Sequence, residues 1–191
     1  MLSDEKILIT GATGKIAFPI ARELAKRNEV WGAARFSKAG DRERLLDIGV
    51  RPLQLDMASG DLSSVPDDFS YVFHAAVDTG AGDWRQCEQT NAQRSGDLLF
   101  HCRNAKGFVY CSTGSVYRYQ GKALTEADGP GAPLRANYSF SKIAGESVCR
   151  WIVRNIQRAR SPVRSRRAPR PAGSRRPGGQ GSARPSARAL P

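Results

Sequence analysis

No apolar run in the 191 residues approaches the ~18 positions needed to cross a bilayer, which excludes a helical membrane protein. The opening Met1-Leu2-Ser3-Asp4-Glu5-Lys6 leads straight into a strand pattern and lacks the form of a signal peptide, so a cytoplasmic location is expected. Cys87, Cys102, Cys111 and Cys149 form no Cys-x-x-Cys pair and fall at no metal-ligand spacing. Each sits in an apolar or helical context, so the expectation is four buried, reduced thiols and no metal site. Acidic and aromatic residues are both missing from residues 158–191, where ten arginines stand. That segment carries +10 of the formal +12, leaving residues 1–157 at only +2, so the basic balance of the chain says little about its body.

What is present alternates in period. Lys6–Thr10 (Lys-Ile-Leu-Ile-Thr) reads as a buried strand running into a glycine turn. Residues 14–27 have helical spacing, with Ile16, Ile20 and Leu24 beside Ala17, Ala21 and Ala25, and Pro19 near enough to the start to be tolerated. Strands are expected at Glu29–Ala34, 51–55, 69–76 and 107–111, and helices at 42–48, 84–103 and 134–155, with a Gly/Pro-rich loop over 121–133. Strands alternating with helices imply right-handed βαβ units and a parallel sheet, hence an α/β, Rossmann-type doubly wound fold over residues 1–157. Residues 158–191 hold almost only Arg, Pro, Ala, Ser and Gly and cannot bury a core, so a disordered basic tail is expected there.

Two motifs carry chemistry. Thr10-Gly11-Ala12-Thr13-Gly14-Lys15-Ile16-Ala17 sits between a strand and a helix, the context a dinucleotide fingerprint requires. Gly11 and Gly14 let the backbone approach a pyrophosphate, and the helix start, with Thr13, Lys15 and Ile16, offers amide donors and a favourable dipole. A tight turn without a ligand would look the same in sequence. At the end of the second strand, Arg35 rather than an acid favours NADP over NAD, the first acid being Asp41; a solvated or adenine-stacking arginine leaves that open. Asp56 suits an adenine amino group and equally a plain turn. Downstream, Tyr138-Ser-Phe-Ser-Lys142 puts a phenol and an ammonium one helical turn apart, a spacing that stabilises a phenolate. Thr113, at the carboxyl end of the fifth strand, is placed either to hold a substrate oxygen or, with Ser112, to cap a turn.

Together these residues resemble the extended short-chain dehydrogenases/reductases, the NAD(P)-dependent epimerase/dehydratase family. The matching pieces are the 10–17 loop, Asp56, His74-Ala75-Ala76, Asn91, Ser112-Thr113 ahead of Val116-Tyr117, Leu124-Thr125-Glu126 and Tyr138-x-x-x-Lys142, covering residues 6 to about 150. The resemblance implies Tyr138 as general acid/base, Lys142 as its charge partner and a ribose ligand, Thr113 as the substrate-orienting hydroxyl, Ala75 and Ala76 along the cofactor, and Asn91 supporting the neighbouring helix. It implies hydride transfer with NAD(P) at a hydroxyl or carbonyl carbon of a small molecule, such as a nucleotide sugar, and a homodimer through helices 84–103 and 134–155.

The sequence departs from the family in three ways. Ala17 replaces a third glycine. Gly114-Ser115 follows Thr113 where the family's dehydratases carry Asp-Glu, which argues against 4,6-dehydration and leaves epimerisation or reduction. Residues 158–191 do not continue the family pattern. Their composition is what GC-rich codons give out of register, with no lysine among the basic positions, so an out-of-frame ending is a working hypothesis that sequencing the gene tests. On that hypothesis the substrate lobe is lost and turnover is impaired. The alternatives are a non-catalytic dinucleotide-binding protein, an inactive fragment, or non-specific, salt-sensitive nucleic-acid binding through the tail.

Overall fold

A computed structural model of the chain describes residues 2–79, 83–118, 120–131 and 137–160, with side chains of the last helix described to residue 157. Five strands, β1 Lys6–Thr10, β2 Glu29–Ala34, β3 Arg51–Gln54, β4 Tyr71–His74 and β5 Gly107–Tyr110, form one sheet. All pair in parallel, in the order β3-β2-β1-β4-β5. The chain therefore runs outward from β1 on one side, crosses back, and runs outward on the other. This doubly wound order leaves a crevice outside the carboxyl ends of β1 and β4, where the direction of winding reverses.

Alternation along β1 builds both faces of the core. Ile7 and Ile9 point to one side and pack with Ala12, Ala17, Ala21, Val30, Leu45 and Val50, covered by α1 (Ala17–Leu24) and α2 (Asp41–Leu46). Leu8 points to the other and joins Val72, Leu53, Phe69, Leu98 and Cys102, covered by α4 (Arg94–His101). β5 is the outer strand, and Val109, on the same sheet face as its β4 partner Phe73, is exposed.

The strands at Lys6–Thr10 and Glu29–Ala34 have the expected bounds, whereas those expected at 51–55, 69–76 and 107–111 are each shorter. The first helix begins only at Ala17, because Gly14 to Ile16 are spent on the turn, and Ile16 is exposed rather than part of the apolar stripe. The single helix expected at 84–103 is three pieces, α3 (Trp84–Glu88), a π-helical turn (Gln89–Gln93) and α4. Of the four cysteines, all free, Cys87, Cys102 and Cys149 are buried as expected but Cys111 is only half-buried. Helix α5 spans Asn137–Arg160, past the end expected at 155. The start expected at 134 and the tail from 161 onward lie outside the described residues. Among the described residues no helix is long and apolar enough to cross a membrane.

Helix α5 comes close to β5 at one point. A Cβ on Gly145 would lie 2.2 Å from the Tyr110 hydroxyl and 2.4 Å from the Asn91 carbonyl oxygen. Neither neighbour is free to retreat, since the two are hydrogen-bonded to each other at 3.0 Å. Gly145→Ala is therefore expected to push the helix off the sheet and cost about 1–3 kcal/mol, read as a lower urea midpoint at unchanged slope.

Candidate active site

The glycine loop is forced by its neighbours. Gly11 has φ +67°, and a Cβ there would meet the backbone of Ala75 and Ala76 at 2.9–3.0 Å. Any side chain would be strained by the dihedral and would separate the loop from the end of β4. The Gly14 N–H donates to Gly11 O at 2.9 Å, closing the turn, and the Ala12 N–H donates to Ala33 O, fastening the loop to β2. A cleft of about 560 Å³ opens in front of this loop. Gly11, Thr13, Gly14, Arg35, Asp56, Ala75 and Ala76, all candidates for holding a dinucleotide, line it.

Lys15 and Ile16 do not line the cleft; they stand exposed where the turn passes into α1. Lining residues that the motifs did not flag include Phe36, Lys38, Asp41, Met57, Val77 and Thr90. Most of these follow the carboxyl ends of β2, β3 and β4, so topology rather than motif was the signal for them. Phe36 turns the chain with a positive φ of +49° and carries the Arg42 guanidinium on its ring. Asp41 is almost fully buried and pairs with Arg44 at 3.4 Å. Asp56 lies two residues beyond β3 and serves as a turn aspartate, accepting from the Ala58 N–H at 3.0 Å, while also facing the cleft.

Behind the cleft, the last residues of three strands stand in register: Thr10 opposite His74, and His74 opposite Tyr110. The Thr10 hydroxyl lies 2.6 Å from His74 Nδ1 and accepts from the Ala76 N–H at 3.1 Å. On the other side of the ring, His74 Nε2 lies 2.8 Å from Ser95 Oγ, which donates to Asn91 O. Ser95 spends its only proton on that carbonyl, so Nε2 donates to Ser95, and a neutral ring then accepts the Thr10 proton on Nδ1. His74 is thus the neutral Nε2–H tautomer. Burial, with a smaller contribution from the charge of Lys142, pushes its pKa down to about 3.

Asn91 carries the network onward. Its carboxamide oxygen accepts from the Asp78 N–H at 2.8 Å, and its NH₂ donates to Asp78 O at 2.7 Å and to Ser141 Oγ at 2.9 Å. Ser141 in turn donates to the carbonyl of Tyr138. The π-helical turn around Asn91 makes this reach possible, since its wider backbone turns one residue toward both the loop after β4 and α5. Asn91 therefore does support the neighbouring helix.

Along α5 the residues facing the fold recur at helical spacing: Tyr138, Ser141, Lys142, Gly145, Glu146 and Cys149. Lys142 is almost fully buried; its Nζ donates to Cys111 O at 2.7 Å and lies 3.8 Å from the centre of the Tyr110 ring. Burial lowers its pKa to about 8, against the opposing influence of Cys111, Cys149 and Glu146. Thr113 caps the short helical turn Gly114–Val116, as one of the two sequence readings had it. It is also brought to α5, because Thr113 Oγ1 lies 3.2 Å from Ser115 Oγ, which accepts from Ser139 Oγ at 3.0 Å. Ser112 donates to Glu146 and so ties the same loop to α5 one turn beyond Lys142. Thr113, Tyr138 and Lys142 thus stand on segments pinned together at the end of β5.

Comparison with known proteins agrees with this architecture. The sequence profile of the NAD dependent epimerase/dehydratase family matches residues 7–187. No curated protein gives a significant match. Among solved structures, UDP-glucuronic acid 4-epimerase from Bacillus cereus, in complex with UDP-glucuronic acid and NAD, is 26% identical with a TM-score of 0.66, over 80% of this chain and 53% of that one. The Bordetella bronchiseptica enzyme WbmH, in complex with NAD+, is 26% identical at a TM-score of 0.62, over 78% and 52%. UDP-N-acetylglucosamine 4-epimerase from Methanobrevibacter ruminantium has a TM-score of 0.71 at 22% identity, a likeness of fold, over 82% and 53%. The chain spans about half the length of the solved structures it matches.

A buried neutral histidine makes stability depend on pH in a known direction. The unfolded chain takes up a proton on His74 below about pH 6.5, and the folded chain does not until about pH 3. Stability is then complete above pH 6.5 and falls as pH drops through that window, by up to about 1.4 kcal/mol per unit. In denaturant titrations at pH 7 and pH 5, His74→Gln is expected to lose less stability on acidification than the unsubstituted chain, although it is the weaker fold at pH 7.

Proposed function

Because the chain belongs to the NAD dependent epimerase/dehydratase family, we propose that it binds an NAD(P) dinucleotide in the cleft before Gly11. We propose further that it transfers a proton through Tyr138 at a hydroxyl-bearing carbon of a nucleotide sugar. The observation that carries the reading is convergence. The loop whose shape requires Gly11 and the loop holding Thr113 open at the same edge of the sheet, and both are tied to α5: a buried network runs from Thr10 to Ser141, and Ser139 of the same helix bonds Ser115 beside Thr113.

The cradle fits the group. Gly11 leaves open the space a side chain would occupy against Ala75 and Ala76, and the start of α1 offers amide donors for a pyrophosphate. The bound nicotinamide would supply reversible acceptance of a hydride. The chain's own residues do the rest. Thr113 holds the substrate oxygen, Tyr138 takes and returns its proton, and the Lys142 ammonium stabilises the anion left on Tyr138. In this reading the dinucleotide-binding domain extends to the end of α5 at Arg160. Gly114-Ser115 after Thr113 favours epimerisation or reduction over dehydration.

Arg35 and Lys38, both exposed and both lining the cleft, favour a cofactor carrying a 2′-phosphate, while Asp41 is engaged with Arg44. The solved relatives named above hold NAD, so the discrimination is a direct experiment. In calorimetric titrations of the 191-residue chain, Arg35→Ala is expected to weaken NADP+ binding by about tenfold or more, the scale of a charge-assisted hydrogen bond, and to leave NAD+ binding nearly unchanged. Equal loss for both, or none, removes the NADP preference.

The catalytic reading has its own test. Tyr138→Phe is expected to keep dinucleotide affinity and to lower exchange of label at the sugar carbon, assayed with UDP-sugars, by about a hundredfold or more. Unchanged exchange in that variant would favour a dinucleotide-binding protein without proton-transfer chemistry.

A further inference from the structure

Tyr110 is absent from the motif set, yet it touches His74, Asn91 and Lys142, all three of them in that set. It ends β5 in register with His74, and the two rings lie 5.8 Å apart. Its hydroxyl donates to Asn91 O at 3.0 Å, which fixes where the ring stands. Gly145 leaves the room for that hydroxyl, since any side chain there would displace it. The ring is therefore held from the sheet, the π-helical turn and α5 at once. Its face carries the Lys142 ammonium, 3.8 Å from the ring centre, with Cys111 O taking one N–H at 2.7 Å.

The other groups acting on Lys142 are few. Cys111 follows β5, Glu146 and Cys149 share its helix, and His74 on β4 is neutral. Glu146 is engaged by Ser112 and Arg150, and burial raises Cys149 to about 11, so it carries a proton near neutrality. Among the described residues no acidic side chain hydrogen-bonds or ion-pairs with the buried ammonium, whose partners are the Cys111 carbonyl and the Tyr110 ring. A desolvated cation over an aromatic face is instead stabilised by the ring quadrupole.

We propose that Tyr110 is a positioning residue whose ring seats Lys142 and keeps it an ammonium beside Tyr138. Its part in turnover rests on the roles proposed for Tyr138 and Lys142. The contact itself is measurable without turnover, so failure of one is distinguishable from failure of the other.

The test is a titration of the full 191-residue chain carrying ¹³C at lysine Cε, with the Lys142 signal assigned by its loss in Lys142→Met. The unsubstituted midpoint is expected near 8. Tyr110→Phe keeps the ring face and is expected to hold the midpoint within about 0.3 unit, whereas Tyr110→Leu lowers it by about one unit, the scale of a buried cation–π contact. A midpoint unmoved by Leu, or moved equally by Phe and Leu, overturns the proposal. Should Tyr110→Leu fail to fold, phenylalanine of increasing ring fluorination at position 110 weakens the quadrupole at nearly constant shape. A stepwise fall in the midpoint supports the seat, and a flat series overturns it.

Discussion

A neutral imidazole at the carboxyl end of β4 holds the two halves of the candidate site together. His74 accepts on Nδ1 from the hydroxyl that ends β1 and donates from Nε2 to Ser95, so one ring bridges the strand feeding the glycine loop and the helix beside α5. Every donor along the chain Ala76, Thr10, His74, Ser95, Asn91 has one consistent acceptor. A buried network in which each member is satisfied specifies a single arrangement; one left half-satisfied would cost more than an apolar core. A protonated His74 would donate from both nitrogens, so the Thr10 hydroxyl, already accepting from the Ala76 N–H, would have to accept a second donor and turn its own proton away from the ring. Its burial and its partners therefore point the same way.

The second constraint is the close approach of α5. Gly145 lets the helix settle against Tyr110 and Asn91, and that seating turns Tyr138, Ser141 and Lys142 toward the ends of β4 and β5. The price is a lysine taken out of water, visible in its lowered pKa. A carbonyl and an aromatic face offset part of that cost without introducing an anion that would pin the side chain. Such an ammonium keeps its charge near neutrality while staying responsive to a phenolate one turn away. Positioning and protonation are thus set by the same packing.

Much of this is legible in the sequence. Lys6–Thr10 and Glu29–Ala34 are short apolar runs bounded by turn residues, and their limits follow from the residues alone. The glycine loop could be read because the positive φ and close approach at Gly11 admit no other residue. The face of α5 could be read from its spacing. Local pattern did not reveal the π-helical turn, because nothing in Gln89–Gln93 departs from helical composition; the wider turn is selected by what Asn91 reaches across the fold. Tyr110 was invisible for the same reason. Its place under Lys142 depends on the register of β5 against β4 and on α5 packing, contacts more than 30 residues apart in sequence. Helical spacing places the start of α1 three residues too early, at Gly14 rather than Ala17, because the turn takes up Gly14 to Ile16.

The link between the two halves of the candidate site therefore depends on the protonation state of one side chain, His74. Long-range ¹H–¹⁵N correlation of the histidine rings in the full chain at pH 5 measures it directly, since imidazolium and the two neutral tautomers give different nitrogen shifts. The expected result is a neutral His74 with its proton on Nε2, although the ordinary histidine pKa of about 6.5 would have it charged at that pH. An imidazolium, or a proton on Nδ1, would contradict the network and with it the proposed link between the dinucleotide loop and the Tyr138–Lys142 helix.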